Sequence, residues 1–172
     1  MKKIAIILIV LVSACTGNAQ CTLTLTTNNY VICSGSSISL SASGATSYSW
    51  IPTSQTGNNV VVTPTANITY TVLGSTGACT GSATCNVFVN PLPGLSVTVI
   101  NNDTICAGAT VTLTANASSP VSYNWNNGST FPSTILSPTV NTWYSVSATN
   151  PSTGCSESLA SLIVVDTTCL VL

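Results

Sequence analysis

One phrase occurs twice in this chain of 172 residues. NNYVICSG begins at Asn28, and NNDTICAG begins at Asn101, 73 residues later. Further matched features follow in the same order: Tyr48 and Trp50 with Tyr123 and Trp125, then Pro64, Asn67 and Tyr70 with Pro138, Asn141 and Tyr144, then Cys79 with Cys155. So many matches in one order indicate a tandem duplication, and each copy must then fold as a unit of roughly 70–75 residues.

Each copy consists of short segments in which apolar and hydroxyl residues alternate, such as SISLSAS and TVTLTA. Alternation is typical of a strand with one buried face, and Thr, Val, Ile and Tyr favour strands. Clusters of Gly, Asn, Pro and Ser separate these segments at intervals of about ten residues. The pattern predicts an all-β fold in which each copy is a sandwich of two antiparallel sheets. Trp50 and Trp125 are expected to fill the two cores; the alternative for both is a stacking platform for sugar.

The N-terminus predicts export from the cytoplasm. MKK followed by IAIILIVLV is typical of a secretory signal, and the apolar run is too short to span a bilayer. Two cleavage sites compete: one after Ala19, and a lipobox at residues 12–15 that would place a lipid on Cys15. We expect the signal over residues 1–19, the first domain over 20–90, a stiff linker over 91–94, the second domain over 95–168 and an apolar tail over 169–172.

Charge is nearly absent from the exported chain. Lys2 and Lys3 are the only basic residues, both lie in the signal, and the chain has no histidine and three acidic residues. Nucleic-acid binding and electrostatic attraction to anionic lipid are therefore excluded. Without His or Lys there is no usual base for a Ser or Cys nucleophile, so we predict no enzyme, no catalytic residue and no cofactor. Without His or C-x2-C pairs we predict no metal site.

The segments ICSG, SISLSASGATSYSW, PTANITYTV and GAC resemble the immunoglobulin-like (Ig-like) and PKD-like repeats of large secreted bacterial surface proteins and adhesins. Both copies carry the matching segments, so the resemblance covers about Cys21 to Asp166. It implies two tandem Ig-like β-sandwich domains at the bacterial cell surface. Antibody-type domains place the first cysteine inside a strand and a tyrosine two residues before the second. Neither holds here, so the resemblance is one of architecture.

Export makes disulfides the expected state of cysteine. Cysteines at equivalent places in the two copies predict one bridge in each, namely Cys33–Cys79 and Cys106–Cys155. In sandwiches of the type that the chain resembles, the first and last strands run side by side in parallel, which adds a Cys21–Cys85 bridge. Cys169 is left over, either as a free or capped thiol or as an intermolecular disulfide.

The chain ends on the apolar residues Leu170, Val171 and Leu172. This tail either extends the last strand along its own core or adds to a neighbouring subunit by strand addition.

Two triplets, Asp103-Thr104-Ile105 and Asp166-Thr167-Thr168, resemble the target sequence of a bacterial O-glycosylation system. Either they are coincidental in a threonine-rich chain, or Thr104 and Thr167 carry glycans whose hydration replaces the missing charge.

These features predict a non-enzymatic extracellular structural protein that assembles with itself into a cell-surface filament or sheath. Soluble surfaces usually carry about a quarter charged residues, so this surface is expected to be covered by sugar or by copies of the chain. The alternative is a monomeric or lipid-anchored adhesion module that binds glycan or another protein through Trp143, Tyr30 or Phe131. Membrane contact would come only through an N-terminal lipid.

Overall fold

A computed structural model describes residues 21–26, 29–100 and 103–169. The predicted signal, Cys15 and the tail Leu170–Leu172 lie outside the described residues. Every regular element within the described residues is a β-strand. None of the described residues forms an apolar helix of membrane-spanning length. The chain divides into two compact units, Met1–Asn90 and Pro91–Leu172.

The strands of the first unit form two sheets. They are β1 (Thr24–Leu25), β2 (Asn29–Cys33), β3 (Ile38–Ser43), β4 (Ser47–Ile51), β5 (Gln55–Thr56), β6 (Asn59–Val62), β7 (Ile68–Thr76) and β8 (Cys79–Asn90). One sheet has the order β1-β3-β6, and the other has the order β2-β8-β7-β4-β5. Alternate residues of the strands point inward, as in Leu40 and Ala42 of β3, so the apolar residues of both sheets meet in one core.

The second unit repeats this arrangement. Its strands are β9 (Ser96–Ile100), β10 (Thr104–Cys106), β11 (Val111–Asn116), β12 (Ser122–Trp125), β13 (Ser133–Leu136), β14 (Thr142–Thr149) and β15 (Ser156–Asp166). They form sheets of order β13-β11-β9 and β10-β15-β14-β12. In both units the second strand leaves the sheet of the first and pairs in parallel with the last strand, β2 with β8 and β10 with β15. The predicted all-β architecture of Ig-like sandwiches is confirmed.

Both predicted core tryptophans lie in the cores. Trp50 and Trp125 are buried, and each indole N–H donates a hydrogen bond of 2.9 Å to a backbone carbonyl, that of Gly57 and of Phe131 respectively. The polar edge of each ring is thereby satisfied while its apolar area fills the space between the sheets. Neither ring is available as a sugar platform.

The repeated ICxG phrase forms the same turn in both units. Cys33 ends β2, and its carbonyl accepts a 3.0 Å hydrogen bond from the N–H three residues later, with Gly35 at φ +78° between them. Cys106 ends β10, and its carbonyl accepts a 3.0 Å hydrogen bond from the Ala109 N–H. Gly108 has the same φ as Gly35, +78°. A turn with its third residue in this region favours glycine, which explains why both copies keep it.

The segment between the predicted domains packs on the second unit. The Pro93 carbonyl accepts hydrogen bonds from the Ser118 N–H at 2.9 Å and from its hydroxyl at 2.8 Å. A Cβ at Gly94 would lie 2.7 Å from the same hydroxyl oxygen, and Gly94 has φ +65°. The Leu95 N–H donates to the Glu157 carboxylate at 2.9 Å. Residues 93–95 are therefore held against the second unit.

The burial of Trp125 makes a direct prediction. Trp125→Ala should lower the free energy of unfolding by about 3–5 kcal/mol, because it removes a large buried ring and leaves a cavity. Phe131→Ala is the control, since Phe131 is 73% exposed and its loss should change stability by no more than about 0.5 kcal/mol. Urea unfolding followed by circular dichroism compares the variants. Equal effects of the two substitutions would contradict the core assignment.

Candidate functional site

The structure pairs the cysteines differently from the sequence prediction. Cys21 is bonded to Cys79 with a Cα–Cα distance of 5.4 Å, and Cys106 to Cys169 with 5.5 Å. Cys33 and Cys155 are also disulfide-bonded, while Cys85 is a buried free thiol. The predicted pairs were wrong in all three cases: Cys33–Cys79, Cys106–Cys155 and Cys21–Cys85.

The length of the last strand in each unit explains why the equivalent pairs Cys33–Cys79 and Cys106–Cys155 were predicted wrongly. Cys33 lies opposite Asn90 at the end of β8, whereas Cys79 begins that strand. A strand of 12 residues is about 36 Å long, so the two cysteines lie at opposite ends of the sheet. The second unit is the same, because Cys106 lies opposite Asp166 at the end of β15, which begins just after Cys155.

Cys85 cannot reach Cys21 for a related reason. The Cys21 N–H donates to the Thr80 carbonyl at 3.2 Å, which fixes Cys21 beside the start of β8. Cys85 lies six residues after Cys79, about 20 Å further along, with its side chain in the core opposite Tyr70. Burial raises the pKa of the Cys85 thiol. It also raises the pKa of Tyr70, and the nearby thiolate charge adds to that shift. Cys85 is therefore a core residue.

The turn after β15 directs Cys169 toward Cys106. The Asp166 carboxylate accepts the Thr168 N–H at 2.8 Å and the Thr168 hydroxyl at 2.6 Å, and these hydrogen bonds lower the pKa of Asp166. The predictions that Cys169 is a free thiol or an intermolecular bridge are both wrong, because its sulfur is used within the chain.

In the first unit, the face of the β4-β7-β8 sheet that points away from the core carries hydroxyl and amide groups. Ser47 and Ser75 form a hydroxyl pair at 2.6 Å, and Thr69 donates to Asn86 at 2.8 Å. An open groove of about 510 Å³ crosses this face. Uncharged residues line it: Ser47, Tyr48, Ser49, Leu73, Gly74, Ser75, Thr80, Gly81 and Ser82.

The second unit carries a corresponding groove of about 260 Å³ on its β12-β14-β15 sheet. It is lined by Asn124, Trp125, Asn126, Ser145, Val146, Ser147 and Ser158. Ser158 pairs with Ser147, as Ser82 pairs with Leu73 in the first unit, so the grooves occupy equivalent places. We call these two surfaces the first and the second hydroxyl groove.

Exposed aromatic residues differ from the sequence prediction at one position. Trp143 is 61% exposed, and Phe131 is exposed as well. Tyr30 instead packs against the first core, and burial raises its pKa, so it does not present a ring to a ligand.

The sheet of order β13-β11-β9 ends in an open edge at β13. Ile135 on this strand is 72% exposed, and its register partner is Thr112 of β11. The equivalent strand β6 carries the exposed Val61, but the Val61 carbonyl accepts a 3.3 Å hydrogen bond from the Gln55 amide. Among the described residues, no side chain caps the outer backbone groups of β13 in this way.

The two threonines of the predicted glycosylation triplets are both exposed. Thr104 is exposed on β10, opposite Val164 of β15, and Thr167 is exposed just beyond the end of β15. Among the described residues, no group of three or more His, Cys, Asp or Glu could hold a metal ion.

No protein-family model and no curated protein sequence matches the chain. Among solved structures it is similar to an amphioxus IgVJ-C2 molecule, at 13% identity over 79% of this chain and 100% of that one, with a TM-score of 0.36. It is also similar to Drosophila OTK extracellular domains 3–5, at 12% identity over 84% of this chain and 62% of that one, with a TM-score of 0.40. A third similar structure contains the N-terminal four Ig domains of Dscam1 isoform 7.44, at 13% identity and a TM-score of 0.36. The match covers 91% of this chain and 48% of that one, so this chain spans about half of that structure.

The fold and the oxidised cysteines together define a broad class. Ig-like sandwiches are common in cell-surface recognition and adhesion modules. Disulfides persist in oxidising compartments such as the extracellular space. The chain is thus an Ig-like, disulfide-bonded protein of extracellular type.

The cysteine pairing can be checked by peptide mapping. Peptic digestion of unreduced protein should release linked peptides that join Cys21 to Cys79 and Cys106 to Cys169. Iodoacetamide should modify Cys85 only after unfolding, because the thiol is buried and its pKa is raised. A linked peptide that joins Cys33 to Cys79 would contradict the structure.

Proposed function

We propose that this protein is a non-enzymatic structural subunit of the bacterial cell surface that associates with copies of itself into a filament or sheath. The observation that supports this most is the open edge at β13, where an exposed β-branched residue lies beside unpaired backbone groups. Such an edge is a template for strand pairing with another chain.

The composition strengthens this proposal. Sheet edges are usually protected from association by charged residues, above all lysine, or by proline. β13 contains neither, and the exported chain has no basic residue to place there. Association between copies is then opposed by little electrostatic repulsion, since only three acidic side chains remain.

The joint between subunits is proposed to be non-covalent. Cys169 is bonded to Cys106, so it does not supply the intermolecular disulfide that the sequence had suggested. The apolar tail Leu170–Leu172 remains a candidate strand to add to a neighbour. In the sequence it follows directly after Cys169, whose sulfur is bonded to Cys106.

Electron microscopy of the purified protein tests self-association. Wild-type protein should form regular fibres, and Ile135→Lys should abolish them, because a charge on the open edge opposes pairing. Val140→Lys is the control, since Val140 is 66% exposed but lies outside the strands. Dispersed wild-type particles at high concentration, or fibres from Ile135→Lys, would contradict the proposal.

We also propose glycans on Thr104 and Thr167. β10 is an edge strand of its sheet, so a glycan on Thr104 would cover one open edge and leave β13 uncovered. Hydrated sugar would there replace the charge that ordinarily protects edges.

Intact mass spectrometry of protein from the native host checks the glycans. The mass should exceed that of the polypeptide, and Thr104→Ala should remove one glycan while leaving the other. Thr112→Ala is the control, because this strand threonine lies outside both triplets. A native mass equal to that of the bare chain would contradict this proposal.

The alternative is a monomeric or lipid-anchored adhesion module, held by Cys15 if that residue is lipidated. The two hydroxyl grooves favour it, because they offer hydrogen-bonding groups on an uncharged surface.

A further inference from the structure

Trp143 lies at one end of the second hydroxyl groove. It belongs to β14, where side chains alternate between the two faces, so Trp143 shares the outer face with Ser145 and Ser147. The intervening Val146 is buried in the core. Leu162 of β15 is the register partner of Trp143 and widens the apolar end of this surface.

Asn126 joins the aromatic end to the polar part. Its side-chain amide donates to the Trp143 carbonyl at 3.1 Å and accepts from the Ser145 N–H at 3.2 Å. These two hydrogen bonds fix the amide against β14. Within the described residues, the hydroxyls of Ser145 and Ser158 make no hydrogen bond to the protein, so both are available to a ligand.

The surface carries no charge. Glu157, the only acidic residue of β15 near the groove, is the partner of the core residue Ala148, and its carboxylate accepts the Leu95 N–H at 2.9 Å. Asp166 lies at the far end of β15 and is used by Thr168. A ligand with phosphate, sulfate or carboxylate groups would find no cation here, because the exported chain has none.

We propose that the second hydroxyl groove, together with Trp143, binds a neutral saccharide. The apolar face of a sugar ring stacks on an exposed indole, while its hydroxyls exchange hydrogen bonds with serine and asparagine side chains. The distance from Trp143 to Ser147 along β14 is about 13 Å, which suits a short oligosaccharide rather than one sugar ring. This site does not depend on edge association.

The first hydroxyl groove provides an internal control for saccharide binding by the second. Its strand β7 has Thr69 opposite Asn86, where β14 has Trp143 opposite Leu162. The first groove is larger and equally uncharged but lacks an exposed tryptophan. Its lining ring, Tyr48, is half-buried and donates its hydroxyl to the Ala45 carbonyl at 2.7 Å. Binding should therefore belong mainly to the second unit.

The experiment titrates the secreted protein with cellohexaose, maltohexaose and chitohexaose, followed by tryptophan fluorescence and calorimetry. Trp50 and Trp125 are buried, but Trp125 also lines the groove, so the part of the emission change that is lost in Trp143→Ala is the part that reports Trp143. We expect at least one of these neutral oligosaccharides to bind, and polygalacturonate not to bind. Trp143→Ala should weaken binding at least tenfold and Ser158→Ala about threefold, whereas Phe131→Ala should leave affinity within twofold.

Three results would overturn this assignment. They are no binding of any of the three oligosaccharides, unchanged affinity in Trp143→Ala, and an equal loss in Phe131→Ala. Circular dichroism confirms that each variant is folded, which its exposed position predicts. Because binding is measured on dispersed protein, it can succeed where fibre formation fails and fail where fibres form, so the two proposals are judged separately.

Discussion

The parallel pairing of the second strand with the last strand is the constraint on which the rest of each unit depends. It carries the chain from one sheet to the other within a few residues and thereby closes the sandwich around its tryptophan. It also places the ICxG turn at the far end of the last strand. The Asn67 amide oxygen accepts the Val89 N–H at 2.7 Å, and the Asn141 oxygen accepts the Val165 N–H at the same distance. The duplication is thus preserved in individual hydrogen bonds that hold the last strand in register.

The sequence was sufficient for the fold and insufficient for the bridges. Alternation of apolar and hydroxyl residues determines which side chains are buried, so Trp50 and Trp125 could be placed in cores from the sequence. The repeat shows that Cys33 and Cys106 are equivalent, but it does not show at which end of a long strand each lies. That depends on the direction of pairing between β2 and β8, which no local pattern of residues records. The sequence did not predict either groove, because the residues of each groove come from three different strands. The recurring Ser and Asn at outward positions could have indicated a polar surface there.

The scarcity of charge has a structural counterpart on the surface. Neighbouring strands satisfy their outward side chains with one another, as in the hydroxyl pairs Thr24–Ser43 at 2.7 Å and Thr114–Ser133 at 3.0 Å. Such pairs require no ionised group and are insensitive to salt. The same neutrality removes the usual protection of sheet edges and restricts any ligand of the grooves to uncharged molecules. One compositional property therefore bears on assembly and on recognition together.

The Cys21–Cys79 and Cys106–Cys169 bridges also determine how the chain would carry tension. A pull applied at Cys21 passes through its sulfur directly to Cys79, and a pull at Cys169 passes directly to Cys106. Each of these bridges gives the force a covalent path around the residues that it encloses, 22–78 in the first unit and 107–168 in the second. The strands within these loops would not be drawn out by a force that the bridge carries. These bridges limit how far the chain can extend under force without the need for a more stable core.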